Sequence, residues 1–253
     1  MSSLQALDQR HVIHPYTNLS AHRDNGAMIL TRGEGVYVFD DAGNRFIEGM
    51  AGLWCASLGY SEKRLAAAAA AQFDTLPFSH LFAHRATPPA IELAAALASV
   101  TPAGLDRVFT VNSGSEAVDA AIKMVWYYNN ALNRPQKKKF LARKRAYHGV
   151  TVAAGSLTGL PYVHDGFDLP NGAMVTHLTT PHHYRYAEPG ETEAEFTDRL
   201  VEELRATIER EGADTIAAFI AEPVMGAGGV LIPPAGYFEK MQAVLRENDI
   251  LCI

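Results

Sequence analysis

Short apolar runs alternate along this chain with stretches whose apolar residues recur at helical spacing, and this limits the fold more than any other feature. TIAAFIAEP, from Thr215 to Pro223, is apolar on successive positions up to Glu222. A strand apolar on both faces is covered on both faces, which points to a parallel sheet flanked by helices. KKFLAR (138–143) and DILCI (249–253) read as further strands. Between them, Phe196, Leu200, Leu204 and Ile208 line one face of a charged helix that stops near Gly212. Tyr237, Met241, Val244 and Leu245 mark another helix.

The first part of the chain has a different texture. GVYVFDDAGNRFIEGM reads as a hairpin, with Val36–Phe39 and Phe46–Ile47 about a turn at Asp41–Asn44. Ser61 is expected to cap a helix that turns Leu65, Ala69 and Phe73 inward. Pro88 and Pro89 are expected to open another, with Leu93, Leu97 and Val100 inward. RVFTVNSGSEAVDAAIKMV (107–125) starts with β-branched and aromatic residues, Val108 to Val111, as a strand would. It ends with Val118, Ala121, Ile122 and Val125 at helical spacing. The expected division is an N-terminal segment over residues 1–60 and an α/β domain over 61–253.

Charge and composition exclude some functions. A net charge of −6 gives no general attraction to nucleic acid or to an anionic membrane. KKK at 137–139 reads as a solvated strand entry. Cys55 and Cys252 form no disulfide framework, and no apolar core of signal-peptide type opens the chain. A reduced, cytoplasmic protein is expected. No run approaches the ~18 apolar residues of a membrane helix.

In a parallel α/β sheet, ligands sit beyond the carboxyl ends of the strands. Three such ends carry suggestive residues. Asn112-Ser113-Gly114-Ser115 hands a strand to a helix through small polar groups. A helix N-terminus with free N–H groups suits a phosphate, although Ser115 would serve equally as a plain cap. Tyr147-His148-Gly149 follows the second strand; the tyrosine would form a flat wall for a ring, or simply fill a core. Glu222 ends the third strand. A carboxylate there needs a partner, so it is either a site residue or half of a structural ion pair.

Other motifs are absent. GAGG at 226–229 has Leu231 where a dinucleotide loop needs its third glycine, and Pro233 and Pro234 forbid a helix there. No Walker-type loop and no nucleophile elbow occurs. PHHYRY (181–186) lacks metal-ligand spacing, and no metal is expected.

Taken in order, the segments HPYT (14–17), TRGEGVYVFD (31–40), GMAGLWC (49–55), RVFTVNSGSEAVD (107–119), YHGVT (147–151), EREGADTIAAFIAEPVMGAGGV (209–230) and PPAGYF (233–238) resemble the class III aminotransferases. The likeness is closest to the omega-amino acid:pyruvate, or amine:pyruvate, transaminases. It implies a fold-type-I architecture, pyridoxal 5'-phosphate as cofactor, and a homodimer acting on a small amine and a keto acid. It also implies roles. Ser113, Gly114 and Ser115 match the phosphate loop, Tyr147 the aromatic over the cofactor ring, His148 and Gly149 the loop that carries it, and Glu222 the glutamate near that ring. Trp54, and more weakly Tyr16, match the substrate wall, which Tyr147 also edges.

Such enzymes hold their cofactor on a lysine and protonate its ring nitrogen through an acid. In the family the acid follows the strand matching DILCI, and the lysine comes later. None of the seven lysines here, Lys63, Lys123, Lys137, Lys138, Lys139, Lys144 and Lys240, lies in a matching context. The expectation is therefore the N-terminal part of a transaminase, its sheet incomplete, holding no catalytic residue and inactive alone. The other reading is a non-catalytic short form that binds cofactor phosphate or partners a longer subunit.

Overall fold

The computed structural model describes residues 3–253. By internal packing the chain divides between Arg107 and Val108 into two units, not between residues 60 and 61.

The first unit begins with helices α1 (Ser3–His11) and α2 (Leu19–Asn25), the latter capped by Asn18, whose side chain accepts from the amides of Ser20 and Ala21. Three antiparallel strands follow: β1 (Leu30–Glu34), β2 (Tyr37–Asp40) and β3 (Arg45–Ile47). The expected hairpin is β2–β3, with Tyr37 opposite Ile47. Asp40 closes its turn by accepting from the amides of Ala42 and Asn44. Helices α3 (Lys63–Thr75) and α4 (Pro88–Ala98) complete the unit.

Two expectations fail here. Glu62, not Ser61, caps α3 by accepting from the Arg64 amide. Ser61 instead donates its hydroxyl to the Gly33 carbonyl at 2.6 Å, which turns the side chain toward β1. Both helices form, but the positions expected to be buried, Leu65, Ala69 and Phe73 on α3, Leu93 and Leu97 on α4 and Val100 just past its end, are exposed. Periodicity fixes which face is apolar, while burial requires something to cover it.

The second unit is the α/β body. It runs α5 (Gly114–Ala131), β4 (Lys139–Arg143), α6 (Val152–Leu157), α7 (Pro161–His164), α8 (Asn171–Met174), β5 (Val175–Leu178), α9 (His183–Tyr186), α10 (Glu193–Glu211), β6 (Ile216–Phe219), α11 (Tyr237–Glu247) and β7 (Leu251–Cys252). The strands form one parallel sheet in the order β5-β4-β6-β7. This is the expected architecture. Successive residues of a strand point to opposite faces. Leu141 and Phe219 accordingly pack with Leu200, Leu204 and Met241 from α10 and α11. Phe140, Ala142, Ala218 and Ile220 pack with Ile122 and Val125 of α5 and Leu157 of α6. β4 and β6 are central; Phe140–Arg143 and all of β6 are buried, which explains the apolar run within each.

Val108–Val111 forms no strand, contrary to the sequence pattern. Among the described residues no neighbour supplies a ladder to it, and Phe109 is 66% exposed. A strand is a property of a pair, so β-propensity alone does not create one. The lysine run also differs from its reading: Lys137 is buried, Lys138 donates to the Trp126 carbonyl and to Asn130, and Lys139 pairs with Glu211. Both cysteines are free. Among the described residues no helix is long and apolar enough to cross a membrane.

Candidate functional site

Parallel pairing places the carboxyl ends of β4 and β6 side by side, so the segments leaving them meet. Arg143, the last residue of β4, donates Nη2 to the carbonyl of Glu222 at 2.5 Å. Glu222 in turn accepts the amide of Tyr147 on Oε1 at 2.9 Å and that of Gly226 on Oε2 at 2.9 Å. The carboxylate expected to need a partner has two, and both are backbone N–H groups.

The N-terminus of α5 joins the same cluster. Ser113 is its N-cap, with the Oγ accepting from the Glu116 amide at 3.2 Å and the carbonyl from Ala117. The Glu116 carboxylate turns back to the amide and side chain of Asn112. That leaves the amides of Gly114 and Ser115 without an acceptor among the described residues. These are two of the orphan donors of a helix start, at the positive end of its dipole. The space beside Gly114 is open: an added Cβ would meet nothing within 4 Å. Open space beside two free amides and two serine hydroxyls fits a phosphate dianion.

Ser115 also ties this helix to the tyrosine loop. Its Oγ accepts from the Val150 amide at 3.1 Å, and its hydroxyl proton is left to donate elsewhere. Gly149 makes the approach possible. It has φ +125, and a Cβ there would lie 2.6 Å from Ser115 Oγ and 2.9 Å from the Ala154 Cβ. One turn further on, Asp119 accepts the Ala154 amide at 2.9 Å. The loop 147–151 is thus clamped from two sides, by Glu222 and by α5.

His148, within this loop, turns its ring into the interior. Its amide donates to Thr158 Oγ1 at 2.8 Å, and that hydroxyl donates to the Gly149 carbonyl at 2.9 Å. The imidazole is buried, and burial, reinforced by the charges of Arg143 and His177, pushes its pKa down to about 4. It is therefore neutral near pH 7. Its Nε2 finds no partner among the described residues. Arg143 is fully buried, with its basicity lowered chiefly by that burial, and its Nε and Nη1 are likewise unpartnered.

Tyr147 is partly exposed, as a ring offered to a ligand must be. The structure thus gathers Ser113, Gly114, Ser115, Tyr147, His148, Gly149 and Glu222 in one cluster. Tyr16 and Trp54 belong to the first unit, where they are 69% and 62% exposed. Trp54 ends a run in which Ala51, Gly52, Leu53 and Trp54 all have positive φ, from 46 to 68. A left-handed turn of non-glycine residues is costly and tends to be kept where function needs it. Arg143, Asp119 and Thr158 were not foreseen, because nothing in their local sequence shows what they support. Among the glycines of 226–229, Gly228 abuts the Arg145 backbone, and its carbonyl accepts from the Arg145 side chain.

Comparison with known proteins agrees with this geometry. The family model described as aminotransferase class-III matches residues 19–253. A mitochondrial gamma aminobutyrate transaminase 1 from Solanum lycopersicum is 51% identical over 243 residues, covering 96% of this chain and 47% of the relative. A vanillin aminotransferase from Capsicum frutescens is 51% identical over 231 residues, covering 91% of this chain and 50% of the relative. Among solved structures, an omega transaminase from Pseudomonas jessenii in complex with PMP superposes with a TM-score of 0.97 at 55% identity, over 99% of this chain and 55% of that one. A thermostable (S)-enantioselective omega-transaminase from Thermomicrobium roseum gives 0.95 at 46% identity, over 98% and 55%. The chain spans about half the length of the curated relatives it matches.

Proposed function

Since this chain belongs to the class III aminotransferases, whose cofactor is pyridoxal phosphate, we propose that it forms the phosphate-gripping, ring-covering part of an amine-processing transaminase. The reaction would move an amino group from an amine or omega-amino acid to pyruvate or a similar keto acid. One observation carries this reading. The unpartnered amides of Gly114 and Ser115 lie at a helix start that Ser115 ties to the loop bearing Tyr147.

Bound pyridoxal phosphate supplies an electron sink for cleavage at the amine carbon. The side chains of this chain bind and orient. Gly114 and Ser115 would hold the phosphate through N–H groups and a hydroxyl. Tyr147 would cover the ring, with its peptide held in register by Glu222. His148, neutral and buried, would keep the loop closed without placing a second positive charge beside Arg143. The family likeness further gives Trp54, with Tyr16, a part in choosing the amine.

None of the seven lysines matches the cofactor-bearing one of the family; Lys139 and Lys240, for example, are committed to Glu211 and Asp198. The 253-residue chain by itself would then bind cofactor phosphate without turnover, and catalysis would need a lysine and a ring-nitrogen acid supplied from elsewhere. The exposed apolar faces of α3 and α4 favour a homodimer as the working form. Two free cysteines favour a reducing compartment, and we place the protein in the cytoplasm, a point that cell fractionation tests.

The deciding experiment is titration of the chain with pyridoxal phosphate and, separately, with inorganic phosphate. We expect saturable pyridoxal phosphate binding that is lost in the double variant Ser113→Ala, Ser115→Ala. Equal affinity for the two ligands, or no effect of the double variant, would remove the cofactor reading. Pyruvate-dependent deamination of an amine by this chain alone would overturn the claim that it lacks turnover.

A further inference from the structure

Outside the cofactor cluster, the described residues bring together one other set of chemistry-bearing side chains. Asp8 sits on α1, His14 in the segment after it, and His22 on α2. His14 Nε2 lies 2.9 Å from Asp8 Oδ1, and His22 Nε2 lies 2.8 Å from Asp8 Oδ2. The two imidazoles are 4.3 Å apart between centroids, tilted by 43°. Both rings therefore turn the same nitrogen toward one carboxylate. The donor atoms of the three residues all lie within 4.8 Å of one another. Asp8 and His22 keep only 14% and 10% of their side-chain surface exposed. No step proposed above uses any of them.

We infer that Asp8, His14 and His22 form a binding site for a divalent transition ion of the zinc class, with a fourth position open to water. The donor set points to this ion class. Two imidazole nitrogens and a carboxylate oxygen suit zinc, whereas calcium and magnesium favour oxygen alone. The spacing is close to what is needed. With zinc–nitrogen bonds of about 2.0–2.1 Å, the ligand atoms of a tetrahedral ion lie about 3.3 Å apart. The Asp–His contacts, at 2.9 and 2.8 Å to the two Asp8 oxygens, would open by about half an ångström, and the donor atoms, all within 4.8 Å of one another, would draw to that separation by side-chain rotation. Each neutral ring would then carry its proton on Nδ1, leaving the Nε2 lone pair for the ion. The three ligands come from two helices and the segment between them, so an ion would fasten α1 to α2.

The spacing of the residues, six between Asp8 and His14 and eight between His14 and His22, matches no metal motif read along the sequence. Only the return of α2 toward α1 assembles the set. Without an ion the same trio is a hydrogen-bonded clasp, with Asp8 accepting one N–H from each ring, and that alternative defines the test.

Tag-free chain, stripped with a chelator and dialysed, would be titrated with Zn²⁺ by calorimetry, with bound metal counted by elemental analysis. We expect one ion per chain. His14→Gln and His22→Gln should each weaken binding by more than about tenfold, while His84→Gln, at an exposed histidine, should leave it unchanged. Circular dichroism verifies that each variant is folded. As a readout that needs no variant, Co²⁺ added to the unaltered chain should give the intense visible bands of a four-coordinate site. Absence of saturable Zn²⁺ binding, indifference to both histidine substitutions, or only weak six-coordinate Co²⁺ bands would overturn the proposal and leave the clasp.

Discussion

Glu222 Oε1 holds the amide of Tyr147 at 2.9 Å, and its other oxygen holds the amide of Gly226 at the same distance. One side chain at the end of β6 therefore sets the loop that leaves β4 and the loop that leaves β6 itself. The glutamate acts on the site through the backbone. This is a positioning role, and it makes the residue sensitive to the loss of a single oxygen.

Glu222→Gln retains one acceptor and replaces the other with a donor that faces an N–H. Hydrogen bonds to a charged group are worth about 1.5–3 kcal/mol, so the variant should lose about 1–2 kcal/mol of stability. Chemical denaturation would measure it. Pyridoxal phosphate should bind more weakly as the Tyr147 loop loosens. Unchanged stability and affinity would mean that Glu222 does not hold the loop.

The two site glycines should behave oppositely. Gly149→Ala sets a methyl group 2.6 Å from Ser115 Oγ at a φ of +125, and should cost more than about 2 kcal/mol while breaking the Val150–Ser115 bond. Gly114→Ala meets nothing within 4 Å and should change stability by less than about 0.5 kcal/mol. Parallel melting curves of the two variants would check this. Equal effects would mean that the contact with Ser115 is not what requires glycine at 149.

His148 makes a prediction about pH. Its folded pKa, about 4, lies below its ordinary value of 6.5, so the unfolded chain binds the proton first as pH falls. Stability should be full above pH 6.5, decline through the interval from 6.5 to about 4, and be lost by roughly 3 kcal/mol below it. His177, also lowered by burial, acts in the same direction. Glu191, held at about 2 by its hydrogen bonds to Arg199, contributes only below the ordinary carboxylate value of 4.5, largely beneath this interval. His148→Gln should flatten the decline, as followed by unfolding at stepped pH. An equally steep decline in the variant would assign it to other groups.

The left-handed turn at residues 51–54 gives a gain-of-stability prediction. Leu53 is 67% exposed and has φ 55, so it bears the left-handed cost with little packing in return. Leu53→Gly should stabilise the chain by about 1 kcal/mol, seen as a raised unfolding midpoint. A lowered midpoint would show that the Leu53 side chain contributes more by contact than it costs in backbone strain.

The residues of the candidate site were legible before folding was considered. The small polar residues 112–115, the aromatic at 147 and the acid at 222 each follow an apolar run. In parallel sheets that is where ligands gather. What those residues do to one another was not legible. Asp119, Thr158 and Arg143 support the same loops, yet Asp119 looks like any helix-surface acid, Thr158 like any loop threonine, and Arg143 like the charged end of a strand. Their roles depend on partners 9 to 79 positions away along the chain.

The sequence by itself determined the alternation of elements, the apolar face of each helix and the burial of β4 and β6. These follow from local periodicity and from the need of an apolar run to leave water. The tertiary structure alone decided the rest. It ordered the strands β5-β4-β6-β7, so that the ends of β4 and β6 meet at Glu222. It left Val108–Val111 without a ladder and the inner faces of α3 and α4 open, because pairing and burial need a second surface that no local pattern supplies. It also drew Asp8, His14 and His22 together, since only the packing of α2 back toward α1 makes neighbours of side chains 6 to 14 positions apart at no metal-ligand spacing.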